Sequence, residues 1–454
     1  MLVKLFFRDF LRFNFLLIFC VLILQKIEAS PYPDPKVIGQ REPELQNRSL
    51  KILSLSDFKG LPVIRVLVKW DQKNENYKIS RVLRENSGTQ ALVSKAHKIP
   101  RYGSFKASLA SKGQNVSIFY DSIGTGANFR KLVQGISFRF PDSGEKTFDF
   151  NMSVENPISG VMEKVLENTI SDAEIEKTPI PSVKVRELQV SHHPNPLQVT
   201  IYAEGYLDKE EELFFKNAQK VPAAFKENKY PEFERFQIVA VFAPSKLRLG
   251  SPRKLDLPVK KRDSFLSLYY PYWWDVGRWY HIVYPTDEDH YRNSLAAWSY
   301  DYPIALVKSS DYWGVGNFKQ LTAIPSDNSS FSYLLMHEFG HFMGLNEEYS
   351  EGGPTELEFA PQINEPWSQN ITFLNIPSQL KWKQFVGAQT PVPTPNSFWN
   401  SRNPQYGAYR GGYAESVGSE KSHIPGLGCV MSSAVNFCPV CENALKEMHE
   451  MDSP

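Results

Sequence analysis

The sequence predicts an α+β fold, an N-terminal β-sandwich followed by an α/β domain, and three observations lead there. Between Leu50 and Ser153 the text breaks into short runs such as GLPVIRVLVKW, NVSIFYDSIG, GISFRFPDSG and TFDFNMSV. They alternate, are rich in Val, Ile and Phe, and are separated by turn residues, as in sandwiches. From Leu197 the period changes. LQVTIYAEGY reads as a buried strand, KEEELFFKNAQKVPAAFKEN as an amphipathic helix with apolar residues three and four apart, and FQIVAVFAPS as a second strand. Strand, helix, strand in that order predicts a right-handed α/β unit. Finally, the apolar strand PIALVKSS, residues 303–310, leads through DYWGVGNF to the helix SYLLMHEFGHFMG.

Three segments follow from this pattern. Residues 1–29 read as an export signal. Lys4, Arg8 and Arg12 precede the apolar run NFLLIFCVLIL, residues 14–24, and cleavage is expected after Ala29. That run is too short for a comfortable membrane span of about 20 residues, and no later run reaches that length. Residues 30–180 hold the sandwich and a linker, and residues 181–454 the α/β domain. Residues 154–195 read as a linker or shared boundary, expected to carry a short helix over VMEKVLENTISDAEIEK, residues 161–177, and a solvated loop at His192-His193. The expected location is outside the cytoplasm: secreted, periplasmic or on the cell surface.

Composition narrows the partners. The formal net charge is +1 and charged residues make up 22% of the chain. Neither a basic nor an acidic bias points to nucleic acid or to an anionic membrane surface. The mature chain keeps Cys429, Cys438 and Cys441, too few for a disulfide framework.

The chemistry is concentrated in HEFGHFMGLNEEY, residues 337–349. On a helix, His337 and His341 stand one above the other on one face, so both imidazoles can reach one cation. Glu338 is turned about 100° away and lies beside the ion, where it can take a proton from water. Zinc with two or three protein ligands and an open position lowers the pKa of the water it holds to about 7. This is the zinc metallopeptidase pattern. Gly344 permits the left-handed turn that ends the helix and returns the chain. Glu347 and Glu348 then approach the ion. Glu347, ten residues past His337, has the spacing of the third metzincin ligand, and Glu348 is the alternative. Downstream, GCVMSS, residues 428–433, looks like the metzincin Met-turn, with Met431 as an apolar floor beneath the histidines.

With these pieces in order, the chain resembles the bacterial IgA-peptidase metallopeptidase family. IYAEGYLDKEEELFF is similar to that family's strand–GDGY–helix opening, and PIALVKSSDYWGVGNF to its Gly-rich segment. HEFGHFMGLNEEY resembles HEFGHSFxGLxDEY. EPWSQNIT, LKWKQFV, TPVPTP and GAYRGGY follow as in the family, and CVMSSAVNFCPVCENAL resembles its Met-turn and FCPVC tail. The resemblance covers roughly residues 197–450. It implies a secreted enzyme with one catalytic Zn2+, a metzincin-like catalytic domain and protein or peptide substrates. Two departures stand out. The acidic pair lies one residue closer to His341, and Asp-Glu-Tyr is Glu-Glu-Tyr here, so the choice between Glu347 and Glu348 stays open.

Other groups carry expectations too. Gly314 and Gly316 let the backbone approach something closely, and the strand edge there can pair with an extended substrate. A bridge from Cys429 to Cys438 or Cys441 would pin the Met-turn to the last helix. A second metal site and a redox pair are the alternatives. Tyr349, Tyr409 and Tyr413 are candidates for an oxyanion hydroxyl, and His423 for an approach to the metal. His281 and His290 resemble no assignable site. The reading is a zinc-dependent endopeptidase with Glu338 as base. Its rival is a non-catalytic binding protein whose structural zinc site is closed by both glutamates.

Overall fold

A computed structural model describes residues 62–452, apart from 72, 86–87, 90–91, 93–97, 112–117, 124–134, 157–158, 180, 249–262, 270–282, 286, 350–364 and 413–421. All of these lie in one compact unit, Leu50–Pro454. The expected export signal, His281 and Tyr413 fall outside the described residues. No helix among the described residues is long and apolar enough to cross a membrane.

The first part is all strand. β1 (Val63–Asp71), β2 (Asn76–Glu85), β3 (Phe105–Ser111), β4 (Ile118–Ile123), β5 (Ile136–Pro141), β6 (Thr147–Glu155), β7 (Met162–Ser171) and β8 (Glu176–Lys177) form two sheets. Their orders are β5-β1-β2-β8 and β4-β3-β6-β7. Burial alternates along β3 and β6, so the period of two puts Phe105, Leu109, Phe148, Phe150 and Met152 on one side. These residues share a single apolar cluster with Ile64, Val66, Phe138 and Phe140 of the other sheet.

The expected linker helix is not there. Residues 162–171 are strand β7, paired antiparallel with β6 along its length. Most of β7 is exposed or half-buried. Charged residues at helical spacing mimic a solvated helix, but the free edge of β6 offers backbone hydrogen bonds and decides the matter. The chain continues through β8 into β9 (Lys184–Gln189), so about half of residues 154–195 are paired strand.

The second part follows the predicted order. β10 (Leu197–Glu204) leads to α1 (Glu211–Ala218) and α2 (Lys220–Glu227), then β11 (Phe236–Phe242). One helix was expected where two occur. Pro222 has no N–H to give to the ladder, and the helix is interrupted at Gln219. After β12 (Leu268–Tyr269) and β13 (Tyr284–Pro285) come α3 (Glu288–Leu295), β14 (Tyr302–Val307), β15 (Val315–Asn317), β16 (Leu321–Pro325) and α4 (Phe331–Phe342). β17 (Tyr409–Arg410), β18 (His423–Ile424) and α5 (Pro439–Met451) complete the described elements.

The main sheet runs β15-β16-β14-β10-β11-β9, with β9 and β15 antiparallel on its two margins and the four between them parallel. Its central strands are buried throughout and nearly all apolar, as strands covered on both faces must be. Residues of β10, β11 and β14 share one cluster with Leu335, Met336, Phe339 and Phe342 of α4 and with Leu445 and Met448 of α5.

A buried ionic hub joins the two parts. Glu85 lies 3.3 Å from Arg65 and 2.9 Å from Arg139, and all three are at most 8% exposed. Arg65 donates to the Asn293 side chain on α3 at 2.6 Å, and Arg139 donates to the carbonyl of Tyr300 at 2.7 Å. Arg139 also sits 3.8 Å over the Tyr300 ring. Removing the one carboxylate strands two buried guanidinium groups. We therefore expect Glu85→Ala to lose about 3–5 kcal/mol of unfolding free energy, read as a lower denaturant midpoint in equilibrium unfolding.

Candidate metal centre

Helix α4 positions the site. Nine of its twelve residues are buried, His337 and Glu338 among them. It ends where the sequence predicts. Gly344 takes φ +92, its N–H bonds to the carbonyl of His341, and the N–H of Leu345 bonds to the carbonyl of Gly340, each at 2.9 Å. This is the reversal a left-handed residue allows.

The two imidazoles are held in one tautomer. Nδ1 of His337 lies 2.9 Å from the carbonyl of Val430, and Nδ1 of His341 lies 2.9 Å from that of Leu345. A carbonyl can only accept, so each Nδ1 donates and each Nε2 presents a lone pair. Those two Nε2 atoms are 3.1 Å apart. Burial, then the neighbouring His341, pushes His337 down to about 3, so its ring is neutral. Two ring nitrogens converging while their far nitrogens are anchored by carbonyls is the arrangement that orients histidine for a metal. Zinc at about 2.0–2.1 Å from each nitrogen fits donors at this separation.

The acidic pair divides. Glu347, one-third exposed, brings its carboxylate towards His341, with Oε1 3.7 Å from Nε2. Glu348 turns the other way and is buried, with Oε1 accepting from Asn370 and from Cys441, each at 3.0 Å. Glu347, not Glu348, therefore lies beside His341. Both glutamates cannot close one four-coordinate site.

Glu338 lies on the same helix and is buried, which pushes its carboxyl up to about 7. Strand β15 presses against it. A Cβ built on Gly314 would meet the Glu338 carboxylate at 2.2 Å. One on Gly316 would meet the backbone carbonyl of Glu338 at 2.0 Å and Cβ of His341 at 2.7 Å. Both glycines are therefore required for close approach, as the sequence suggests. β15 is also the last strand of its sheet.

The segment around Met431 also packs against the helix. Met431 is fully buried, and a Cβ on Gly340 would come within 2.5 Å of its sulfur. The segment also uses its backbone. The carbonyl of Val430 orients His337, and that of Met431 accepts from the N–H of Glu348 at 2.8 Å.

The remaining candidates scatter. Tyr349 stacks 6.0 Å from the His337 ring. Tyr409 is buried on β17, and its hydroxyl donates to the carbonyl of Gln405, so it serves packing. His423 pairs through its backbone with Thr372 on β18. His290 lies on α3, with Nε2 3.0 Å from the carbonyl of Phe265. Cys429, Cys438 and Cys441 are free thiols, all buried, where a bridge from Cys429 was expected.

Sequence reasoning missed three groups. Tyr312, just before Gly314, is 55% exposed and close enough to Glu338 for that carboxylate to help raise its pKa. Asn370, fully buried, accepts from the N–H of Asn346 and donates to its carbonyl, fixing the return from α4. Lys381 steadies the Asn370 segment by donating to the carbonyls of Ser368 and Ile371 at 2.7 and 2.6 Å. Only Tyr312 left a signal, its place in the Gly-rich segment.

Gly316→Ala should force β15 away from α4. We expect a loss of about 1–3 kcal/mol by overpacking together with weaker retention of metal, checked by unfolding and by metal content after dialysis.

Residues 187–403 match the family model described as IgA Peptidase M64. The match includes all of α4 and its acidic return and stops before Met431 and the three cysteines. No curated protein matches the chain.

Proposed function

We propose that this chain, a member of the IgA-peptidase-type family through the match over residues 187–403, is a secreted zinc-dependent endopeptidase. Family membership supports a peptidase acting on protein substrates. The zinc, the ligand set, the export and the endopeptidase mode belong to this proposal. One observation carries the metal: two Nε2 lone pairs 3.1 Å apart, with both Nδ1 atoms committed to carbonyls. In this reading the first part is a β-sandwich and the second a metzincin-like domain. The shared cluster of two four-stranded sheets and the Met-turn beneath α4 support those descriptions.

His337, His341 and Glu347 would hold the ion. Bound there, zinc supplies a positive charge that polarises a peptide carbonyl and makes water acidic. Glu338 stands beside the histidines and takes the proton of the attacking water. It then carries that proton to the amine nitrogen as the peptide bond breaks. The outer margin of β15 aligns an extended substrate by backbone pairing, which gives affinity with little sequence preference. Tyr312 stands at the rim, within reach of charge that develops near Glu338.

The rival reading, a binding protein with a closed structural zinc, needs both glutamates on the ion. Glu348 faces the thiols instead.

Glu338→Gln tests the assignment. The variant should keep its zinc and lose about 100- to 10,000-fold in cleavage of casein or immunoglobulin, the range for removing a general base. Loss of zinc in that variant would make Glu338 a ligand and break the assignment of roles.

A further inference from the structure

Beyond the histidine pair lies a second group of donors that the peptidase reading does not use. Sγ of Cys429, Sγ of Cys438, Sγ of Cys441 and a carboxylate oxygen of Glu348 all lie within 4.8 Å of one another, and all four residues are buried. Donors around one tetrahedral zinc stand about 3.5–3.8 Å apart, given bonds of about 2.3 Å to sulfur and 2.0–2.2 Å to oxygen. The cluster needs only a small contraction to reach that geometry.

Its hydrogen bonding is incomplete. Oε1 of Glu348 accepts from Asn370 and Cys441, but Oε2 is buried with no hydrogen-bond partner. A buried carboxylate oxygen facing thiols is costly unless something positive meets it. The N–H of Cys438, at the start of α5, points to Sγ of Cys429 at 3.4 Å. That is a weak donor for so many sulfur and oxygen lone pairs.

We propose that Cys429, Cys438, Cys441 and Glu348 form a second, structural zinc site, separate from the histidine pair. Three thiolates and one carboxylate with no open position suit a closed structural site, and thiolates select zinc over hard cations. Binding would release the thiol protons, since sulfur ligates as thiolate. In its absence, burial pushes the Cys429 and Cys441 thiols and the Glu348 carboxyl well up, while thiol hydrogen bonds hold Cys438 well down.

The site would tie three segments together: the return after α4 through Glu348, the Met-turn through Cys429, and the start of α5 through Cys438 and Cys441. Glu348 is the immediate neighbour of Glu347, and its N–H already bonds to Met431. Clamping one glutamate on the thiols therefore aims the other at the histidines. It also explains how an odd number of thiols can persist in an exported chain. Ligation protects them without pairing them.

The test uses the full chain carrying His337→Ala and His341→Ala, purified without chelator, so the first site is gone. We expect one zinc per chain to remain. Replacing that zinc with cobalt should give the near-ultraviolet absorption of thiolate-to-cobalt charge transfer. In the same background Glu348→Gln should keep the absorption and release metal to a chelator at least about tenfold faster. Adding Cys438→Ser and Cys441→Ser should abolish binding. No metal in the doubly substituted chain would overturn the proposal. That holds whether thiol titration under denaturing conditions finds three reactive thiols or one plus a bridge. Metal release unchanged by Glu348→Gln would remove the carboxylate from the site. Because the histidine pair is absent throughout, a failure of the peptidase reading leaves these outcomes untouched.

Discussion

The structure depends on how closely other backbone and side chains approach helix α4. A helix that brings two imidazoles and a buried carboxyl group close together must be embraced from both sides without being pushed. On one side Gly314 and Gly316 bring strand β15 to within atomic contact of Glu338 and His341. On the other, Gly340 leaves room for the sulfur of Met431. A side chain at any of the three positions would meet heavy atoms at 2.0–2.5 Å. The glycines therefore set the distance between sheet, helix and turn, and the imidazoles inherit their orientation from that spacing.

That embrace also explains why backbone carbonyls, rather than acidic side chains, orient the histidines. Val430 is next to Met431 and Leu345 just past the helix end. The Leu345 carbonyl is placed by the chain reversal after α4. The left-handed Gly344 thus does two things. It stops the helix and supplies an acceptor to the second histidine one residue later. The same reversal exposes Glu347 to the histidines and buries Glu348 among sulfur atoms, since adjacent side chains on an extended segment point to opposite sides.

Polar contacts join the two parts of the described chain, and Tyr102 of the first part packs into the apolar cluster of the second. Arg65 and Arg139 reach from the first sheets to Asn293 and Tyr300 with Glu85 between them. Such a hub contributes little net stability compared with apolar packing, but it is unforgiving of the loss of one member. It fixes one arrangement of the two parts, which apolar surfaces alone do less well.

The sequence by itself determined the local chemistry. The four-residue spacing of His337 and His341, the glycine after the helix, and the glycines of DYWGVGNF are short-range signals. Their physical meaning, a shared helix face, a left-handed turn and a close approach, does not depend on the rest of the chain. The order of apolar strands and helices in the second part was equally legible, because buried parallel strands read as continuous apolar runs. Tertiary structure decided what depends on distant partners. Residues 162–171 became strand because β6 had an edge to fill. The turning of Glu348 away from Glu347 depends on Asn370 and Cys441, which lie far along the chain. The gathering of Cys429, Cys438 and Cys441 around Glu348 was hidden for the same reason. A carboxylate ligand has no sequence signature of its own, and only folding brings it to the thiols.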